Sequence, residues 1–148
     1  KVASKEFIEQ VVKKYYFRLA DMAYYADVDV ITHLTFLFRY INGHFNRGLS
    51  IEPFYEDIDN VLKGIIETEK ALEINTSGKA LSWNQFMPNA DILKRYYNMG
   101  GRIITLGSDA HKADLIAFSF DEAIKMLKEI GFKNGSYFEK RKRKEYEL

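Results

Sequence analysis

The densest run of chemistry-bearing residues is Gly107-Ser108-Asp109-Ala110-His111, which follows the apolar stretch RIITL at residues 102–106. Ligands of α/β folds gather at the carboxyl ends of the strands, so the position matters as much as the residue types. In extended backbone, side chains two apart leave on one face, so Asp109 and His111 are expected side by side. A carboxylate beside an imidazole suits a divalent ion such as zinc, manganese or iron. The plainer alternative is a capped turn carrying a surface histidine. His33 closes a second apolar run, VDVITH at residues 28–33, and is one of three histidines in the chain. If both runs are parallel strands, His33 shares a rim with Asp109 and His111 and can share their ion; the alternative is a satisfied rim histidine. Arg39, six residues on, can fork onto a phosphate oxygen pair if the loop between folds over the rim. Otherwise it is a solvated arginine. Asn75 and Ser77 follow a third run, ALEIN at 71–75, where they can meet a substrate or form a turn. Glu73 shares a strand face with Asn75, as an interior polar residue or as the partner of a basic neighbour. His44 is given no role.

These residues need elements to carry them. Ser4 caps a first helix whose apolar face is read as Phe7, Val11, Tyr15, Leu19, Met22 and Ala23. Residues 28–33 read as a strand buried on both faces. A polar loop at 42–50 leads to a second helix opened by Ser50 and Pro53, with Phe54, Ile58, Val61, Leu62 and Ile65 turned inward. The strand at 71–75 follows. A loop through Ser77, Gly78 and Pro88 then reaches Asn89, which caps a third helix ending at Gly100-Gly101. The strand at 102–106 precedes a fourth helix bearing Phe120, Ala123, Ile124, Leu127 and Ile130 and stopped by Gly131. A short strand near Tyr137-Phe138 precedes a charged, solvated end at 140–144. Helix and strand alternate with short connections, which predicts an α/β fold with parallel strands. Three or four strands cannot close a barrel, so the chain is either a small open domain or part of a larger barrel.

Composition narrows the class. There are 148 residues, 22 basic and 21 acidic, so the net charge of +1 gives no general attraction to nucleic acid or an anionic membrane. There is no cysteine, which removes disulfides and thiolate ligands and is compatible with a cytoplasmic location. No apolar run reaches the roughly 18 residues of a membrane span, and residues 1–10 are amphipathic rather than a signal peptide. The first residue is Lys1, which suggests a processed or incompletely represented product.

The ordered segments resemble a known family. Residues 26–34 (ADVDVITHL) followed by Arg39-Tyr40, residues 71–78 (ALEINTSG), Gly100-Gly101 leading through Leu106 into GSDAH, and Gly131-Phe132 are similar to successive segments of the histidinol-phosphatase type of the polymerase-and-histidinol-phosphatase (PHP) superfamily. They cover nearly the whole chain in family order. The resemblance implies a partial, distorted (β/α)7 TIM-like barrel, with residues 1–148 forming the carboxyl-terminal part of a single domain. It implies divalent metals, up to three in the complete domain, with His33, Asp109 and His111 as ligands and Arg39 on the phosphate. The implied reaction is hydrolysis of L-histidinol phosphate, a small phosphate monoester, in histidine biosynthesis, with Asp109 or His111 assisting proton transfer. Two departures stand out. The family's amino-terminal His-x-His pair does not occur in these residues, and Thr35 stands where the family usually has aspartate. The expected partner is therefore the missing amino-terminal half of the barrel. The chain alone should bind at most one ion weakly, turn over little substrate, and self-associate through a bare sheet edge. The competing readings are a catalytically inactive fragment or binding module, and a PHP-type nuclease.

Overall fold

The computed structural model describes residues 3–80 and 83–148. The start of the amphipathic segment at residues 1 and 2, and part of the loop before Pro88, lie outside them. Helix α1 (Lys5–Tyr25) opens where the Ser4 hydroxyl accepts from the Phe7 N–H at 3.2 Å. Strand β1 is Val30–Ile31, and a short helix α2 (Phe36–Phe38) passes directly into a π-helical turn, Arg39–His44. A 3-10 turn, Glu52–Phe54, carries Pro53 into helix α3 (Tyr55–Glu67). Strand β2 (Ala71–Asn75), a 3-10 turn Ser77–Ala80, helix α4 (Ala90–Asn98), strand β3 (Ile104–Gly107), a 3-10 turn Ala113–Leu115 and helix α5 (Phe120–Ile130) follow. Two further strands, β4 (Asn134–Glu139) and β5 (Lys142–Glu147), end the chain.

The first three strands form one parallel sheet in the order β1-β2-β3, with Ile31 opposite Leu72 and Asn75 opposite Gly107. The expected α/β class and alternation of elements are present. The sheet buries Leu72 and Ile74 against Ile58, Val61, Leu62 and Ile65 of α3 and Ile92 and Leu93 of α4. Each fully buried aliphatic side chain contributes roughly 1.5–3 kcal/mol, so this layer dominates the stability. Asn89 caps α4 as expected, its carboxamide oxygen accepting from Ile92 N–H at 3.2 Å. Gly131 ends α5 at φ 118°, a left-handed conformation that suits glycine.

Five expectations need correction. The buried face of α1 is Val12, Tyr16, Leu19, Ala20 and Ala23, while Phe7, Val11 and Met22 are exposed. Two apolar stripes run side by side on this helix, and periodicity alone does not say which one meets α3. Second, β1 is much shorter than residues 28–33, because only its central pair finds a ladder partner, and Val28 and Val30 are half-buried. Third, the segment carrying Arg39 is helical, not a loop, through the π-turn. Fourth, α3 begins at Tyr55, after the 3-10 turn, and Ser50 instead accepts from the Glu52 N–H at 3.3 Å. Fifth, residues 140–144 are the turn and returning strand of an antiparallel hairpin, with Tyr137 opposite Lys144. At its tip, Arg141 donates to both Asp27 oxygens at 3.0 and 2.6 Å and to both Asp29 oxygens at 3.2 and 3.3 Å. The hairpin thus packs beside β3 and is fastened to the residues entering β1, a clasp below the amino-terminal ends of the strands.

Candidate active site

All three strand tips of the sheet present polar residues on one rim. His33 stands just past β1 with φ 61°, and Asp109 just past β3 with φ 48°. Left-handed backbone at a non-glycine residue stores about 1–3 kcal/mol and collects at working sites. The His33 conformation is held by its neighbours. Its carbonyl accepts from the Tyr15 hydroxyl at 2.5 Å and from the Phe36 N–H at 2.9 Å, so α1 and α2 both grip it. Burial pushes the Tyr15 phenol up to about 12.

The His33 imidazole lies between two carboxylates. Nδ1 is 3.5 Å from Glu73 Oε2, and Nε2 is 4.0 Å from Asp109 Oδ2. Nδ1 is buried and makes no hydrogen bond. Glu73 projects from the middle of β2, with only 14 % of its side chain exposed. It also accepts from the His33 N–H and from the Asn75 carboxamide, each at 3.4 Å. Gly107, opposite Asn75, leaves room for this carboxylate, since a Cβ there would sit 2.4 Å from Glu73 Oε1 and displace it. Asn75 is fully buried and forms the turn: its oxygen accepts from the Ser77 N–H at 3.0 Å and hydroxyl at 2.7 Å. The Ser77 hydroxyl in turn accepts from Arg39 Nη1 at 3.1 Å, and the same nitrogen is 4.0 Å from Asp109 Oδ2.

Arg39, Ser77, Ser108, Asp109 and His111 line one pocket of about 150 Å³, closed on its apolar side by Leu115 and Phe118. Its size suits a phosphoryl group, and Arg39 supplies the positive charge. The π-turn brings Arg39 to the pocket, as the expected folding-over of that segment required, although by a different backbone. Asp109 and His111 do not leave on one face of an extended segment. The left-handed turn at Asp109 swings the chain, and His111 Nδ1 lies 2.8 Å from the Asp109 carbonyl oxygen. His111 is exposed and borders the pocket, whereas His33 faces Asp109 from the other side. His44 is exposed, at the end of the π-turn. A larger cleft of about 640 Å³ opens by Lys70, Ile103 and Lys133, near the opposite ends of the strands, and contains none of these rim residues.

The rim has the chemistry of a metal site: two imidazoles, two carboxylates and a buried ring nitrogen without a hydrogen bond. Among the described residues, however, no three His, Asp or Glu side chains group closely enough to hold an ion. The donors fit a share of a metal centre rather than a whole one. Glu73 was expected to be an interior polar residue or the partner of a basic neighbour, and its neighbour is the His33 imidazole. The placement of Glu73 two before Asn75 on a buried strand was the available signal.

No protein-family model matches the chain. It is 34% identical over 145 residues to a probable histidinol-phosphatase of Clostridium acetobutylicum, covering 95% of this chain and 55% of that protein. To a probable histidinol-phosphatase of Thermotoga maritima it is 35% identical over 104 residues, 69% of this chain and 41% of the other. Among solved structures, the histidinol phosphate phosphatase of Lactococcus lactis, complexed with zinc, L-histidinol and phosphate, superposes with a TM-score of 0.78. The identity there is 25%, over 93% of this chain and 52% of that one. A candidate histidinol phosphatase of Listeria monocytogenes shares the fold with a TM-score of 0.67 at 16% identity, over 79% of this chain and 46% of that one. The chain thus spans about half the length of the curated relatives it matches. Sequence and fold together place it in the histidinol-phosphatase type of the PHP superfamily, of which it represents the carboxyl-terminal part.

Proposed function

We propose that this chain supplies the carboxyl-terminal share of a metal-dependent phosphomonoesterase that hydrolyses L-histidinol phosphate to L-histidinol and phosphate. The supporting observation is the rim pocket in which Arg39, Ser77, Asp109 and His111 meet, in a chain related to histidinol phosphatases. Its three parallel strands are read as part of a distorted (β/α)7 barrel, whose other strands and remaining metal ligands come from sequence outside these 148 residues. His33, Asp109 and His111 are the residues proposed to hold metal, with zinc favoured by the Lactococcus structure and manganese or iron(II) as alternatives. A bound divalent ion would polarise the phosphoryl oxygens and acidify water.

The chain's own residues do the rest. Arg39 binds the phosphoryl oxygens and offsets their charge, and Ser77 fixes the guanidinium through the bond at 3.1 Å. Asn75 acts beneath, by holding Ser77. A water oxygen bonds to phosphorus while the phosphorus–oxygen ester bond breaks. Asp109 is read as taking the proton from water and returning it to the departing histidinol oxygen, with His111 kept as a metal ligand. Leu115 and Phe118 limit water in the pocket.

A fusion of this chain to the amino-terminal part of the Clostridium relative tests the reading. Phosphate release from L-histidinol phosphate with Zn²⁺, Mn²⁺ or Fe²⁺ should be low for the chain alone and restored in the fusion. Arg39→Ala in the fusion should then lower kcat/KM by about 100-fold. A folded, zinc-loaded fusion that hydrolyses other monoesters but not this one would overturn the substrate. One inert toward every monoester would overturn the reaction and favour a binding module.

A further inference from the structure

Glu73 touches every strand tip of the rim yet has no part in the reaction described above. We infer that Glu73 is a positioning residue that holds His33 as its Nδ1–H tautomer, leaving Nε2 bare toward Asp109 and the pocket side of the rim. The buried Nδ1 has one carboxylate oxygen before it, Glu73 Oε2 at 3.5 Å, and a carboxylate can only accept. A proton on Nδ1 therefore meets an acceptor, whereas a bare Nδ1 would bring two lone pairs face to face. The second ring nitrogen is set by what the first one does. The carboxylate is itself fixed. Asn75 donates to it from the same strand, the His33 N–H donates from β1, and the missing side chain of Gly107 makes room for it on β3. Carboxylates that orient ligating histidines in this way raise ligand basicity and typically change metal affinity 10–100-fold. The inference rests on the proposed metal site only for the use made of Nε2; the tautomer itself needs no ion.

The experiment is ¹⁵N–¹H correlation NMR of the histidine side chains, metal-free, at a pH where the imidazoles are neutral. The chain has three histidines, so His33→Gln identifies the signal by its loss. Wild-type His33 should carry its proton on Nδ1. Glu73→Gln keeps an acceptor oxygen and should retain that tautomer at least in part. Glu73→Leu removes the acceptor and should shift the tautomer ratio at least about tenfold toward Nε2–H. Should Glu73→Leu not fold, Gly107→Ala serves instead, because it leaves the carboxylate in the chain but displaces it from His33. Asp109→Asn should leave the tautomer as it is. An Nε2–H imidazole in the wild type, or a ratio indifferent to both Glu73→Leu and Gly107→Ala, overturns the inference. In a second measurement, Co²⁺ titration of the fusion by visible absorption should show 10–100-fold weaker binding with Glu73→Leu than without it. Equal binding counts against the positioning role. A wild-type fusion that takes up no Co²⁺ tells against the proposed function, and the tautomer result then decides the role of Glu73 alone.

Discussion

The Tyr15 hydroxyl offers a direct measure of how the rim is held. Tyr15→Phe removes its bond to the His33 carbonyl at 2.5 Å and leaves that carbonyl with the Phe36 N–H at 2.9 Å. Because one partner remains, the loss is that of a single hydrogen bond, about 1 kcal/mol near neutral pH. The pH dependence adds a sharper test. Burial pushes the Tyr15 phenol up from 10 to about 12, so its folded value exceeds its unfolded one. A group raised in this way contributes stability that is complete below the unfolded value and lost as pH climbs through the folded one. That difference corresponds to about 3 kcal/mol in all, of which about half is gone by pH 11. Tyr15→Phe lacks this loss. Urea unfolding at pH 8, 9, 10 and 11 should therefore show the wild type ahead by about 1 kcal/mol at pH 8, with the order reversed by pH 11. Tyr96 and Tyr146 are raised alike in both proteins and cancel in the difference, while Tyr16 is raised chiefly by burial, which both proteins keep, and only secondarily by Tyr15. A gap that stays constant from pH 8 to 11 would refute the account of Tyr15, and no gap at pH 8 would refute its grip on His33.

Three further substitutions test other parts of the framework. Gly131→Ala places a Cβ at φ 118° and 2.8 Å from the Tyr97 hydroxyl, so thermal unfolding should show a loss of about 1–3 kcal/mol. Asn89→Ala removes the cap of α4 and should cost about 1 kcal/mol in the same assay, with Asn89→Asp close to wild type. Arg141→Ala should speed amide exchange in β4 and β5 at pH 7. The Asp27 carboxyl is held below its usual value by hydrogen bonding to Arg141, so this contribution exists above the ordinary carboxylate range and disappears as pH falls through the lowered value. Wild type and variant should therefore converge in acid, and also in high salt.

Much of this architecture can be read from residue order alone. The run ALEIN is a strand over the same five residues in the fold, and the inward face of α3 is the one its spacing predicts. Both are cases where a single apolar period has a single place to go. α1 differs because apolar residues come in adjacent pairs, such as Phe7-Ile8, Val11-Val12 and Tyr15-Tyr16. Either member of each pair satisfies the helical period, and only packing against α3 selects Val12 and Tyr16. The strand near Tyr137-Phe138 is present as β4, but the π-turn at Arg39 and the returning strand β5 were hidden for another reason. Polar and charged side chains dominate both, and their backbone pairing carries no hydrophobic signature. At the rim, Asp109 was legible as a residue but not as a conformation. Its left-handed backbone reorients His111, and the carboxylate nearest His33 Nδ1 comes instead from Glu73, forty residues away in sequence.

The Arg141 clasp has a bearing on the order of assembly. It joins positions 112 and 114 residues apart, Asp29 and Asp27 at one end and Arg141 at the other. A growing polypeptide must therefore have produced all of β1, β2 and β3 before this seal can form, while helices and parallel ladder already compete for their partners. Until then the base of the sheet is unlatched, so a nascent or clipped molecule ending short of position 141 would hold its rim residues on a frame still open from below.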